Sequence, residues 1–199
     1  MKYEIFHAEP PVLRRLRING YKVFEGEDHD LNLIGIRSKN RKAGAFDDVF
    51  LCVYREEGVW VQETYQATCD PSAEQHKDPT NSKGVAILKA GQYRGVWHLD
   101  THRGKYLALC QRGAVVTVFR DKNYDDISDT NDKSALDTGF FGINGHRAHE
   151  TKLVDSTKHY SAGCQVLRHP ADFARLIALC KMQAAKWGAS FTYTLLEER

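Results

Sequence analysis

Between residues 31 and 119 the chain is a succession of short β-rich runs, NLIGIRS, DVFLCVYREEGVWVQETYQAT, GVAIL, QYRGVWHLD, KYLALCQ and AVVTVFRD, each bounded by Gly, Asp, Asn or Pro. This pattern predicts antiparallel sheet, because alternate residues of a strand face opposite sides. Glu56-Glu57-Gly58 and Arg112-Gly113 are the sharpest candidate hairpin turns, since Gly supplies the positive φ that tight connections need. From Asp121 to Asp137 the apolar period vanishes, which predicts a long surface loop. Its Asp125, Asp126, Asp129 and Asp132 lack the spacing and closing Glu of an EF-hand calcium loop. TGFFGINGHR then reads as a strand, Ala148 to Tyr160 as a polar segment, and SAGCQVL as a return to apolar sequence.

At Pro170 the period changes. Phe173, Leu176, Ile177, Cys180, Ala184 and Trp187 recur at helical spacing until Gly188, predicting one amphipathic helix whose apolar face covers the sheet. SFTYTLL alternates again and is expected as a closing strand. Near the front, PPVLRRLRING predicts a short helix ended by Asn19-Gly20, with Val12, Leu13 and Leu16 inward. The expected fold class is mainly β (α+β), one domain over 1–199 with residues 1–30 as a candidate N-terminal extension.

Composition agrees with a packed domain: 199 residues, 42% hydrophobic and 27% charged, values that argue against wholesale disorder or a coiled coil. Lys and Arg number 28 against 26 Asp and Glu, for a formal charge of +2. So small a balance gives no reason to expect nucleic acid as a partner. No window reaches the roughly 18 consecutive apolar residues of a membrane span, so no membrane association is expected. The segment MKYEIFHAEPPVLRRLRING lacks the charged-then-apolar order of a signal peptide, so the expectation is a chain made in the cytoplasm and released to the cell wall, if at all, by another route. Oligomeric state is not legible.

Five cysteines, Cys52, Cys69, Cys110, Cys164 and Cys180, form an odd set with no CxxC, which argues for reduced thiols rather than a disulfide framework. Cys52 and Cys110 fall in apolar strands and Cys180 on the apolar helix face, so all three read as buried hydrophobes. Cys69 is ambiguous. Cys164 stands apart, because Ser161, Ala162 and Gly163 are small and Gly163 permits a sharp turn in which successive backbone N–H groups converge. A thiol there could attack a carbonyl whose oxyanion those amides hold, provided a His takes the proton. The bases on offer are His146, His149, His159 and His169, and sequence spacing alone selects none.

GINGHRA followed by SAGC resembles the catalytic region of the L,D-transpeptidase family, whose signature is a His, some seventeen intervening residues, and Ser-His-Gly-Cys. Here seventeen residues, 147 to 163, separate His146 from Cys164. DPTNSKGVAILKAGQY looks like the family segment that precedes a strand lining the substrate cleft. The resemblance covers roughly residues 60 to 168, and only the His-to-Cys block is specific. It implies an L,D-transpeptidase-like β-sheet domain with a packed C-terminal helix, and a cysteine peptidase or transpeptidase acting on peptidoglycan stem peptides. It implies Cys164 as nucleophile, His146 as base, the Arg147 backbone oxygen as its orienter, the amides of Gly163 and Cys164 as oxyanion donors, and Ser161 as the residue shaping the turn. No cofactor or metal is implied. The chain departs from the family at Ala162, where the family has His, and at Val166, where it has a polar or basic residue. With no export signal expected, a phage lysin is the context that fits.

Two other readings compete. His98-x-Asp100-x-His102 would share one face of a strand, and His146 and His149 lie close in sequence, so a zinc-dependent wall peptidase is an alternative. A non-catalytic wall-binding or phage structural domain is the other, motivated by Ala162, Val166 and the aromatics Tyr93, Trp97 and Tyr106. Arg14, Arg15 and Arg17, and the run Arg37 to Lys42, could touch an anionic polymer, but read more simply as a solvated helix face and a loop.

Overall fold

A computed structural model describes residues 1–198. In chain order its elements are β1 (Lys2–Phe6), α1 (Pro11–Ile18), β2 (Asn32–Arg37), β3 (Asp48–Glu56), β4 (Val59–Thr68), α2 (Ala73–Lys77), β5 (Val85–Leu88), β6 (Gly91–His102), β7 (Tyr106–Gln111) and β8 (Val116–Asp121). There follow β9 (Leu136–Gly139), β10 (Gly145–Arg147), β11 (Gln165–Leu167), α3 (Pro170–Trp187) and β12 (Ser190–Glu197), with 3₁₀ turns at Lys133–Ala135 and Lys158–Tyr160. The chain is mainly β with a C-terminal helix.

A nine-stranded sheet runs β1-β4-β11-β10-β7-β6-β12-β2-β3, and β3 pairs back onto β4, so the ladder closes in the manner of a barrel. A smaller sheet, β5-β8-β9, stands beside it. Inside, Trp97 and Tyr193 stack at 4.3 Å and Phe50 and Tyr193 at 5.7 Å. Phe173, Leu176, Ile177, Leu179 and Cys180 of α3 join that core. A second cluster lies under α1, where Leu13 and Leu16 pack with Ile34, Leu51, Val53 and Trp60. The first thirty residues are thereby tied into the domain, since β1 also pairs with β4 from Lys2↔Thr64 to Phe6↔Trp60. Arg37 is fully buried and joins the sheets: its guanidinium pairs with Asp70 at 3.0 Å and Glu197 at 3.1 Å and donates to the carbonyls of Cys69 and Leu88. No helix among the described residues is long and apolar enough to cross a membrane.

Several expectations are corrected. The sheet is mixed, because β10–β11 and β12–β2 are parallel. β12 is a central strand between β6 and β2 rather than a closing one; Tyr193, Thr194, Leu195 and Leu196 are all buried, as in a strand covered on both faces. Glu57 and Gly58, at φ 51° and 79°, do make the β3–β4 hairpin. Arg112-Gly113 makes none: it carries the chain from β7 to β8 in the other sheet, and Gly113 serves close packing, since a Cβ there would lie 1.9 Å from the Gly95 carbonyl oxygen. The β6–β7 hairpin turns instead at Arg103 and Gly104, φ 50° and 68°. Of the Asp121 to Asp137 loop, Asp121 closes β8 and Leu136 and Asp137 open β9.

TGFFGINGHR is not one strand. β9 ends at Gly139 and β10 begins at Gly145, because the buried Gln111 side chain takes the backbone groups between them: its Oε1 accepts from the N–H of Phe141 and Ile143 and its Nε2 donates to the Gly139 carbonyl. The Trp97 indole N–H takes the Ile143 carbonyl at 2.7 Å. On α3, Phe173, Leu176, Ile177 and Cys180 are buried as expected, but Trp187 is 45% exposed at the helix end, its indole donating to the carbonyls of Glu27 and Asp28. His169 occupies the N-cap position without a side-chain capping bond. Trp97 is fully buried and Tyr93 and Tyr106 pack against the core, so these aromatics form no exposed binding face.

Candidate active site

β10 and β11 carry the His-to-Cys block. They are parallel neighbours, with His146 opposite Val166 and Gly145 opposite Gln165. Cys164 sits one residue before β11, two positions from Val166, on the side that alternation gives His146. Diagonal neighbours across a sheet lie about 7–8 Å apart at Cα, within reach of an imidazole. The topology therefore brings the two residues to one sheet face.

The buried His146 ring donates through Nδ1 to the Arg147 carbonyl at 2.9 Å. A carbonyl only accepts, so Nδ1 carries the proton and Nε2 keeps its lone pair. Burial pushes the imidazole down to about 3, offset only in part by the Arg147 bond, with His102 and Arg103 lowering it further. The ring is neutral at pH 7. The Cys164 thiol is raised above the ordinary thiol range by burial, against which an Asn144 N–H and the Arg103 charge pull down. Thiol and imidazole are thus both in their neutral forms at pH 7. The sulfur also contacts the Gly142 carbonyl at 3.4 Å.

The turn before Cys164 is held from within. Ser161 Oγ donates to the Cys164 carbonyl at 2.9 Å and accepts the Gly163 N–H at 3.3 Å. Gly163 has φ 115°, and a Cβ on it would lie 2.3 Å from the Ala86 carbonyl oxygen of β5, so the position requires glycine on both counts. This qualifies one expectation: the Gly163 amide is engaged by Ser161 rather than free to receive an oxyanion. Gln165 fixes the far end, donating its backbone N–H to the Asn144 carbonyl at 2.8 Å and accepting the Tyr193 hydroxyl at 2.7 Å.

Asn144 and His102 were not singled out as partners of the thiol. Asn144 touches Cys164 through its backbone, its Oδ1 accepts the Gln111 N–H at 2.7 Å, and its Nδ2 donates to His102 Nδ1 at 3.2 Å. His102 stacks on His146 at 4.4 Å. One asparagine thus connects the sulfur to the ring that covers His146. The sequence carried no signal for this, since β6 lies more than forty residues from β10 and only the fold makes them neighbours.

Of the other histidines, His149 accepts the N–H of Thr151 and Lys152 in a local turn, and His159 is exposed on its 3₁₀ turn. The remaining cysteines, Cys52, Cys69, Cys110 and Cys180, are fully buried. Asp100 pairs with Arg112 at 2.8 Å, and among the described residues no three His, Cys, Asp or Glu side chains come together as a metal site. The zinc alternative lacks a ligand set there.

Two cavities border the turn. One of about 310 Å³ is lined by Thr80, Asn81, Ala86, Arg120, Phe141 and Ala162. The other, of about 160 Å³, opens onto His146. No protein-family model, curated protein or solved structure matches this chain. The resemblance to L,D-transpeptidases therefore stands on the residues of the His-to-Cys block alone.

Proposed function

We propose that this chain is an L,D-transpeptidase-like cysteine enzyme acting on peptidoglycan stem peptides through a thiol acyl-enzyme. The supporting observation is the placement of His146 on β10 and of Cys164 just ahead of the parallel neighbour β11, toward one sheet face, with the imidazole proton committed to the Arg147 carbonyl. In the proposed reaction His146 Nε2 takes the thiol proton as the sulfur attacks the peptide carbonyl. The C–N bond breaks, the proton passes to the departing amine, and an S-acyl cysteine remains. Water then releases an acid, or an incoming amine takes the acyl group. The Cys164 backbone N–H, one of the two donors the resemblance implies, would receive the developing oxyanion, while the Asn144 N–H would steady the sulfur as it ionises. Delivery as a phage lysin, from cytoplasm to wall by a separate route, completes the reading.

Ala162 removes the imidazole that the family carries beside Gly-Cys, and Val166 is fully buried, so neither can bind substrate as the family residue does. Digestion of defined muropeptides with mass detection tests the proposal. Wild type should yield a new acid or cross-link and a transient S-acyl adduct on Cys164, and Cys164→Ala neither. Wall binding without any product, in wild type and variant alike, would replace it with the non-catalytic reading.

A further inference from the structure

We propose that the smaller cavity beside His146 is a subsite for a substrate carboxylate. This rests on the thiol reading above and adds to it the part of the substrate that anchors next to the reacting bond. Its walls come from the β6–β7 hairpin, β10 and the Lys158–Tyr160 turn. They bring Arg103, Lys105 and Arg147 together with the imidazoles of His102, His146 and His159, and no Asp or Glu lines it. Glu150, which does not line it, pairs with Arg147 at 3.2 Å on a side chain 75% exposed. Arg147 is stacked over the Tyr106 ring at 4.0 Å, which fixes its guanidinium at the cavity wall.

A concave site lined by one sign of charge concentrates the opposite ion, and guanidinium matches a carboxylate in geometry. At about 160 Å³ the space suits a small acid rather than a sugar or a nucleotide. It also adjoins the thiol: Ala148 and Tyr160, two of its lining residues, pack in one cluster with Cys164, and the charge of Arg103 acts on both Cys164 and His146. A peptide whose carboxylate sits there would extend along the cluster that Ala148, Tyr160 and Cys164 share. Nothing in the sequence pattern announces this site, because its cations come from two segments some forty residues apart.

The test uses the intact chain and follows the imidazole C–H resonances by NMR at low salt. The probes are N-acetyl-D-alanine, its uncharged amide, and inorganic phosphate. The expected result is a saturable shift of the His102 and His159 signals with the acid but not the amide, weakened at least about tenfold in the double variant Arg103→Asn, Lys105→Gln. Both positions are exposed, and Asn tolerates the positive φ of position 103. Equal shifts with the amide, no shift, an unaffected double variant, or tighter binding of phosphate than of the acid would each overturn the assignment. Failure of the parent reading looks different: the carboxylate would still bind while Cys164 formed no acyl adduct with any stem peptide.

Discussion

The His102 ring lies on the His146 ring with centroids 4.4 Å apart and 24° between the planes, and Asn144 holds its far nitrogen at 3.2 Å. Since the Asn144 oxygen is committed to a backbone N–H, its amide must donate to His102 Nδ1, which leaves the His102 proton on Nε2. His146 is thus clamped between a backbone carbonyl and a stacked ring whose own tautomer is set. His102→Ala should lower turnover of stem peptides by up to about tenfold, the rate equivalent of an aromatic contact of roughly 0.5–1.5 kcal/mol. His102→Phe should recover much of it. Comparison of kcat for the two variants checks this, and identical losses would assign His102 a role other than stacking.

Cys164 and Cys110 separate chemistry from packing. Cys164→Ala should melt within a degree or so of wild type and form no acyl-enzyme. Cys110, fully buried with its thiol 3.6 Å from the Asp100 carbonyl, should behave oppositely: Cys110→Ala should cost about 1 kcal/mol while leaving turnover per folded molecule unchanged. Melting curves beside mass-detected acylation decide it. Turnover in a verified Cys164→Ala protein would refute the cysteine mechanism.

Burial of neutral His146 makes the fold acid-sensitive. Its folded pKa, about 3, lies below the ordinary value of 6.5, so between those two pH values the unfolded chain binds a proton that the folded chain refuses. Stability is therefore complete above pH 6.5 and falls as pH drops toward 3, by at most about 1.4 kcal/mol per pH unit. The buried Asp48 carboxyl, pushed up to about 7 by burial and by Asp70, works in the opposite direction. The measurement is accordingly a difference. Denaturant melts at pH 7, 6, 5 and 4 should show His146→Gln gaining on wild type as pH falls.

α3 is structural. Leu176 is fully buried against the barrel core, so Leu176→Ala should cost about 2–5 kcal/mol in a urea melt. No loss would mean that the helix face is not packed as described.

The residues show how much could be read in advance. α3 was legible from Pro170 to Gly188 because a helix writes its buried stripe into local periodicity, and the β3–β4 hairpin because Glu57-Gly58 lies directly between two β-rich runs with no room for any connection but a tight turn. The burial of Cys52, Cys110 and Cys180 followed from their apolar neighbours. Arg112-Gly113 misled for a related reason: glycine signals either positive φ or close approach, and only the partner, the Gly95 carbonyl, says which. The 140–144 segment misled because a single side chain, Gln111, takes backbone groups that a strand would have paired.

By itself, then, the sequence determined α1, α3, the β3–β4 hairpin, the mainly β class, and the His146 to Cys164 spacing, all of which depend on residues within a few turns of one another or on a short block. Tertiary structure decided the rest: the parallel register of β10 and β11, the central place of β12, the burial of Arg37, the stacking of His102 on His146, and the gathering of Arg103, Lys105 and Arg147 around one small cavity. These contacts join residues tens of positions apart. Their energies depend on which strands pair and on what water is excluded, and no local pattern encodes either.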